Sequence, residues 1–298
     1  MLWGTAAIVS AISFALVNVI DRRILTVHIR NVHSYYIWIG LSLLLYGVTF
    51  LGITGLNASP RGALLAVASG SIWGTALLAM VWALRNEEAS RVVAVYHTYP
   101  VFVAVIAVAF LGESISAGQW VGIMAVVGGA ALVSLTGALR SGVLRFNSVL
   151  PVLILASLCV AGAILVTKLA LNEMDAFQAY PWRSLGMGAV FMVFLSRSSL
   201  RGFLDSLQNK RSVGLVILSE FVLAQIAVIF ILIATDRGPV SLVAALTSTR
   251  PLFVFLAGSI LSIPKLGFLD EPLRRDTLLV KGVSISMIVG GVALIQLA

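Results

Sequence analysis

Charged residues are scarce in this sequence. Asp, Glu, Lys and Arg make up 11% of its 298 residues, whereas 60% are hydrophobic and the mean hydropathy is +1.05. A soluble domain usually carries about 25% charged residues, because fewer would leave large apolar patches exposed to water. Apolar runs long enough to cross a hydrocarbon layer of about 30 Å recur along the chain. The composition therefore excludes a soluble globular protein and indicates an integral membrane protein with several spans.

The sequence also lacks the residue patterns of most enzymes and cofactor sites. Cys159 is the single cysteine, so no disulfide framework can form. The motifs HExxH, GxSxG and GxxxxGK[ST], paired carboxylates at catalytic spacing and Cys/His clusters are all missing. We therefore expect no catalysis, no metal, no cofactor and no direct hydrolysis of ATP. The net charge of +8 does not indicate nucleic-acid binding, because the cations lie in short connections between apolar runs.

Charged residues, Pro and Gly divide the chain into ten apolar segments. Each is interpreted as a helix, because membrane strands would alternate apolar and polar residues. The first has no basic region before it and no clear cleavage site, so it is interpreted as a retained span rather than a signal peptide. The sequence therefore predicts an all-α polytopic membrane protein. The ten predicted transmembrane helices cover roughly residues 2–20, 34–54, 62–84, 91–111, 118–138, 149–171, 179–196, 212–235, 239–263 and 278–297.

The two halves of the chain resemble each other. VVGGAALVSL at residues 126–135 matches IVGGVALIQL at residues 288–297. Chance similarity between helices rich in small and aliphatic residues is the alternative, but matching Pro and Gly-Gly positions in the same order favour a duplication. The other matched pairs are Ser90 with Ser241, Ala94 with Ala245, Pro100 with Pro251, Tyr36 with Tyr180, and Trp38 with Trp182.

A duplicated unit of five helices has a consequence for topology. Because five is odd, the second unit enters the membrane in the opposite sense to the first. Such inverted repeats typically bind substrate near the midplane, where the two units meet, and work by alternating access. The predicted units are residues 1–140 and 146–298.

One long stretch resembles a known transporter family. It reads ALRNEEASRVVAVYHTYPVFVAVIAVAFLGESISAGQWVGIMAVVGGAALVSL and is similar to the end of an EamA-type unit of the drug/metabolite transporter superfamily. The second half repeats it as SLVAALTSTRPLFVFLAGSILS, with Asp270, Glu271 and Pro272 roughly where Glu113 stands in the first half. The resemblance implies a ten-helix secondary transporter of small metabolites, often an exporter, in the cell (inner) membrane.

Polar residues interrupt two of the apolar runs, just before Pro100 and Pro251. A proline in mid-helix leaves the carbonyl four residues earlier without its donor. Such carbonyls are tolerated in lipid only where neighbours, water or a ligand satisfy them. The two runs therefore predict kinked helices that face each other across a wet cavity; the alternative is that both prolines only bend helices for packing. The candidate substrate-binding residues are His97, Tyr99, Trp182, Glu220, Arg250, Tyr96 and Arg183.

Three of these candidates are ionisable residues well inside apolar segments. Charges there are costly, so they normally face the protein interior and find partners. The depths of Arg250 and Glu220 predict that the two could pair, whereas Arg183 lies nearer its interface and Asp21 is expected to reach its own. His97 could relay protons, although a hydrogen-bonded cavity histidine is the commoner case.

The excess of Arg over acidic residues inside the spans favours a substrate with a carboxylate. An amino acid or related carboxylate, exported down its own gradient or in exchange for protons, is therefore expected. A flippase for a lipid-linked intermediate and a multidrug exporter are the alternatives. The expected partners are a small-molecule substrate and membrane lipid, with no nucleic acid, and the working expectation is a monomer.

The Lys and Arg residues of the connections predict the orientation of the chain. Of the 20, fifteen lie in or beside odd-numbered connections, three in or beside even-numbered ones, and two are Arg183 and Arg250. Because Lys and Arg in short loops favour the cytoplasm, this distribution places both termini outside, whereas the family resemblance implies both termini inside. We expect a reporter that works only in the cytoplasm to be silent when fused to Ala298. An active fusion would show that the charge count misleads.

Overall fold

The described part of the chain is entirely helical. The computed structural model describes residues 2–29, 31–55, 58–86, 95–135, 149–261 and 275–297, and these ranges contain no strand. The helices are α1 (Leu2–Arg23), α2 (Val32–Thr54), α3 (Pro60–Asn86), α4 (Tyr99–Leu111), α5 (Ala117–Leu135), α6 (Val149–Leu171), α7 (Ala176–Met192), α8 (Arg197–Leu207), α9 (Lys210–Arg237), α10 (Val240–Thr247), α11 (Arg250–Leu261) and α12 (Arg275–Leu297). One π-helical turn follows α1 (Ile24–His28) and another lies within α9 (Ile217–Leu223).

Several helices are suited to crossing a membrane. Among the described residues, α1, α2, α3, α6 and α9 are each long and apolar enough, and α7 with α8 makes a sixth if the bent pair is taken as one span. Shorter apolar helices occur in α4, in α5, across α10 and α11, and in α12. The all-α membrane class is therefore confirmed, whereas the count of ten spans stays a prediction for the shorter segments.

The seventh predicted helix differs from the expectation at its end. It was expected to run to residue 196, but α7 ends at Met192 and the chain turns by 111° into α8. Ser196 starts the new helix with a capping box, in which its side chain accepts from the Ser199 N–H and the Ser199 hydroxyl accepts from the Ser196 N–H. Because a cap satisfies the free N–H groups of a helix start, this short motif makes a separate helix out of an expected connection.

Several of the contacts between the halves pair equivalent helices. The second helices of the halves pack together as α2 and α7, the fourth as α4 and α10, and the fifth as α5 and α12. The third helix of each half packs against the first of the other, as α3 with α6 and α9 with α1. The contact between α3 and α7 has only a small counterpart, between α2 and the π-helical turn of α9. A two-fold relation between the halves would produce this pattern.

Two helices are interrupted at matching places. Helical backbone at Val95 and Tyr96 stops at a turn before α4, and α10 is separated from α11 by a turn at Ser248 and Thr249. At the first turn, the Thr98 N–H and hydroxyl both donate to the Val95 carbonyl, at 3.2 and 2.7 Å. At the second, the Thr249 N–H and hydroxyl donate to the Leu246 carbonyl, at 3.1 and 2.7 Å.

These equivalent bonds show how both interruptions satisfy their backbone. Each threonine lies two residues before a proline, Pro100 in the first half and Pro251 in the second. Each hydroxyl adds a second hydrogen bond to a carbonyl that lies five residues before the proline, next to the carbonyl whose donor the proline removes. The chain is thus broken, rather than smoothly bent, ahead of both prolines.

The backbones of α3 and α7 lie close together where these helices cross. A methyl group placed on Gly186 would overlap the Val67 carbonyl oxygen, and one on Gly70 would overlap the Arg183 carbonyl oxygen. Membrane helices use such small residues to bring their backbones into contact. This crossing holds Arg183 at a fixed depth between the halves.

We expect Gly186→Ala to destabilise the protein, because the added methyl group must push two backbones apart. Overpacking of this kind costs about 1–3 kcal/mol. Gly162→Ala is the matched control, since a methyl group there meets nothing within 4 Å. The measurement is the apparent melting temperature of the purified protein in detergent. Equal melting temperatures for the two variants would contradict the close crossing.

Candidate functional site

A small cavity lies between the halves. It is enclosed by α3 from the first half and by α6, α7, α9 and α10 from the second, and its polar or aromatic lining consists of Trp73, Thr167, Arg183, Thr235 and Thr247. The space open to water-sized groups is about 10 Å³, roughly the room that one water molecule needs. In this conformation a larger solute would therefore enter only after the walls separate.

Arg183 is the charged member of this lining. Its side chain is 3% exposed, and its guanidinium lies over the Trp73 ring at 4.5 Å from the ring centre. The aromatic face attracts the cation, but the Nε–H has no hydrogen-bond partner in the structure. A buried charge with an unmet donor is costly unless something pairs with it. The arrangement is therefore suited to receiving an anionic group.

A cluster of rings lies behind the cavity. Tyr96, His97 and Tyr99 contact one another with ring centres 5.7 to 6.5 Å apart, and all three are buried. The Tyr99 hydroxyl hydrogen bonds to the Thr247 hydroxyl at 3.0 Å, which ties the cluster to the cavity wall. Both ring nitrogens of His97 lack a hydrogen-bond partner. The cluster thus joins the interrupted helices of both halves and contains a second buried group with unmet hydrogen bonds.

Arg250 and Glu220 have different partners, so the pairing considered from the sequence is wrong. The Arg250 guanidinium lies over the Phe14 ring, 4.3 Å from its centre. Glu220 instead lies in the π-helical turn of α9, where its Oε1 is 2.8 Å from the Tyr35 hydroxyl. A π turn has more residues than an α turn and changes the direction of the side chains after it. Estimating depth along a regular helix could not anticipate that change.

Asp21 belongs to the same group as Glu220, which the sequence did not indicate. Its Oδ1 accepts a hydrogen bond from the Tyr35 hydroxyl at 2.6 Å and another from the Ser219 hydroxyl. Sequence reasoning missed Tyr35 and Ser219 altogether. The available signal was an acidic residue at the end of the first apolar run together with a second acid deep in another, because two costly groups tend to occupy one place.

The remaining candidate, Trp182, is half-buried and packs against the apolar cluster around Tyr180.

The sequence did not indicate three of the residues that line the cavity, which are Trp73, Thr167 and Thr235. A tryptophan in the middle of a span, away from the interface where this residue usually lies, was the signal for Trp73. Threonines in apolar helices give no such signal, because most bond back to their own helix, as Thr167 and Thr235 also do.

Glu113 joins the two halves at the start of α10. Its carboxylate accepts hydrogen bonds from the backbone N–H groups of Val240 and Ser241, at 2.6 and 3.2 Å, and from the Ser241 hydroxyl at 2.5 Å. An anion at a helix N-terminus is stabilised both by these free N–H groups and by the helix dipole. The matching residues Ser90, Ala94, Asp270, Glu271 and Pro272 lie outside the described residues.

These features define a class of protein: a multi-pass helical membrane protein with a charged cavity between its halves. Residues 1–135 match the model of the EamA-like transporter family, which confirms the resemblance drawn from the sequence. It is a family of transporters rather than of enzymes, so the match indicates a membrane transporter of small solutes.

The comparisons with individual proteins add the fold alone. One solved crystal structure is 16% identical in sequence, with a TM-score of 0.69 over 99% of this chain and 95% of its own chain. No curated protein matches the sequence significantly.

We expect Glu113→Gln to weaken the association of the halves. The amide keeps the size of the side chain but loses the charge, and it turns an N–H₂ group toward N–H donors. A lost hydrogen bond to a charged group costs about 1.5–3 kcal/mol. Glu173→Gln is the control, because Glu173 pairs only with Arg61, whose side chain is 80% exposed. The measurement is the apparent melting temperature in detergent, and a larger drop for the control would contradict the capping role.

Proposed function

We propose that the chain is a secondary transporter that exports a small metabolite from the cell across the inner membrane. In this proposal, ten membrane spans form two inverted five-helix units, residues 1–140 and 146–298, that give access to the cavity from alternate sides. The family match, the equivalent helix pairs and the position of the cavity between the halves support it.

The proposed substrate is an amino acid or a related carboxylate. The observation that carries this choice is Arg183, a buried cation in the cavity with an unmet Nε–H. A carboxylate would meet that donor and neutralise the charge, whereas a cationic solute would be repelled. The Trp73 ring beside the guanidinium offers an apolar surface to the rest of the solute.

The threonines of the cavity would contribute orientation rather than charge. Thr167 and Thr235 donate to carbonyls of their own helices, so their oxygens remain available as acceptors. An ammonium group could use these oxygens while the carboxylate lies on Arg183. An α-amino acid thus matches the lining better than a simple anion does.

The test is transport into liposomes that contain the purified protein. Radiolabelled amino acids, organic acids and cationic dyes are each offered, and we expect uptake of carboxylates. Arg183→Gln should weaken this uptake about 10- to 100-fold in apparent affinity, since a hydrogen bond to a charged group contributes about 1.5–3 kcal/mol. Arg183→Lys should restore only part, because the ammonium lacks the planar donor geometry.

Arg197→Gln is the matched control, since Arg197 is an exposed arginine on α8. Its transport should equal that of the wild type. Uptake of cationic dyes without carboxylates would refute the substrate class. Full carboxylate transport by Arg183→Gln would refute the role of the cavity arginine.

A further inference from the structure

A polar contact joins the halves at the end of α1 opposite the Glu113 cap. Asp21 and Tyr35 come from the first half, and Ser219 and Glu220 come from the second. We propose that this contact holds one extra proton while the halves touch and releases it when they separate, so that it couples transport to protons. The inference rests on the alternating access of the proposed function, and it adds the site and the ion of the coupling.

The hydrogen count of the contact carries the proposal. The Tyr35 oxygen lies 2.6 Å from Asp21 Oδ1 and 2.8 Å from Glu220 Oε1, both hydrogen-bond distances. A tyrosine hydroxyl has a single hydrogen, and an ionised carboxylate has none to donate. Two hydrogen bonds at this oxygen therefore need a second hydrogen, which only a protonated carboxyl group can supply. The geometry itself thus points to a bound proton.

The partners indicate which carboxyl group carries that proton. Asp21 Oδ1 already accepts from the Ser219 hydroxyl and has the shorter distance to Tyr35. It is therefore suited to be the ionised member. In the proposed arrangement Glu220, which is 5% exposed, carries the proton and donates to the Tyr35 oxygen, and the Tyr35 hydroxyl donates to the Asp21 carboxylate. Two carboxylates this close in a poorly hydrated place would otherwise repel each other.

The surrounding cations do not remove the need for a proton. Arg22 and Arg23 follow Asp21 on α1, His28 lies in the π-helical turn beyond, and Arg211 lies at the start of α9. These groups can lower the electrostatic cost of a second carboxylate. None of them changes the number of hydrogens between Tyr35 and its two carboxyl neighbours.

The proton has a clear source and destination. When the halves separate, Glu220 becomes a carboxylate and one proton passes to water on that side. When the contact forms again, one proton is taken up from solution. Since the contact binds a proton that the separated groups do not need, mass action makes it weaker as the pH rises.

Infrared spectroscopy of the reconstituted full chain tests the bound proton directly. We expect the wild type at neutral pH to show the C=O band of a protonated carboxyl group, which shifts in heavy water and disappears as the pH is raised. Glu220→Gln and Asp21→Asn should each lose that band. Asp205→Asn, which changes an exposed acid on α8, should keep it. The absence of the band in the wild type, or its survival in both variants, would overturn the proposal.

The pH titration of the infrared band uses the wild type alone, so misfolding of a variant does not prevent the test.

Liposome experiments then separate the two proposals, with a mixture of radiolabelled amino acids as the probe. Exchange of the probe at equal pH on both sides depends on the proposed function alone. Accumulation driven by an imposed pH gradient depends also on the contact, and it should be lost in Glu220→Gln while exchange continues. Gradient-driven accumulation by Glu220→Gln at the wild-type level would overturn the coupling.

Discussion

Backbone hydrogen bonding is the constraint on which the rest of this structure depends. In hydrocarbon no water can satisfy a free N–H or C=O group, so a spanning chain must form helices and must supply a partner wherever a helix is interrupted. Here the hydroxyls of Thr98 and Thr249 donate to backbone carbonyls at the interruptions before Pro100 and Pro251. The start of α10 is completed by Glu113 from the other half. The irregular places of the fold are therefore the places where polar side chains gather.

The same constraint explains why the cavity lies where it does. Interrupted helices bring hydroxyls and charged groups to the middle of the chain's apolar layer, and these groups face the interior rather than lipid. Glycines at the crossing of α3 and α7 bring Arg183 close to Trp73. The arginines and the acidic residues inside the protein occupy different places. The two arginines lie over aromatic rings, and the two acids share hydrogen bonds with Tyr35.

This division of charge gives each group a separate part in the proposed function. Had Arg250 paired with Glu220, one bond would have neutralised both, and neither would have had a reason to bind a solute or a proton. Because they are kept apart, the Arg250 Nε–H has no hydrogen-bond partner, as is also the case for Arg183, and the acids are left with the proposed bound proton. Two of the polar contacts between the halves, at Glu113 and at Glu220, lie toward opposite ends of the helices, as the alternate access of the proposed function would require.

Several properties of this protein follow from its sequence alone. The shortage of charge indicated the membrane class, and the Leu-Gly-Glu and Gly-Gly motifs indicated the resemblance to the EamA-type family. The prolines predicted where two helices would be irregular, because proline removes a donor wherever it occurs. Arg183 and Tyr99 were also candidate substrate-binding residues from the sequence, since their types are costly in lipid, although the sequence placed Arg183 nearer an interface. All of these conclusions depend on residue type and local order, which a sequence records.

Only the tertiary structure decided which of these residues meet. The π-helical turn at Glu220 directs that side chain to Asp21 and Tyr35, and the short approach at Gly186 places Trp73 under Arg183. The separation of α8 from α7 likewise depended on a cap of two serines at a sharp bend. Partners of this kind are set by the direction and distance of whole helices. A single apolar sequence is compatible with many such directions, because its hydrophobic residues surround each helix on every side.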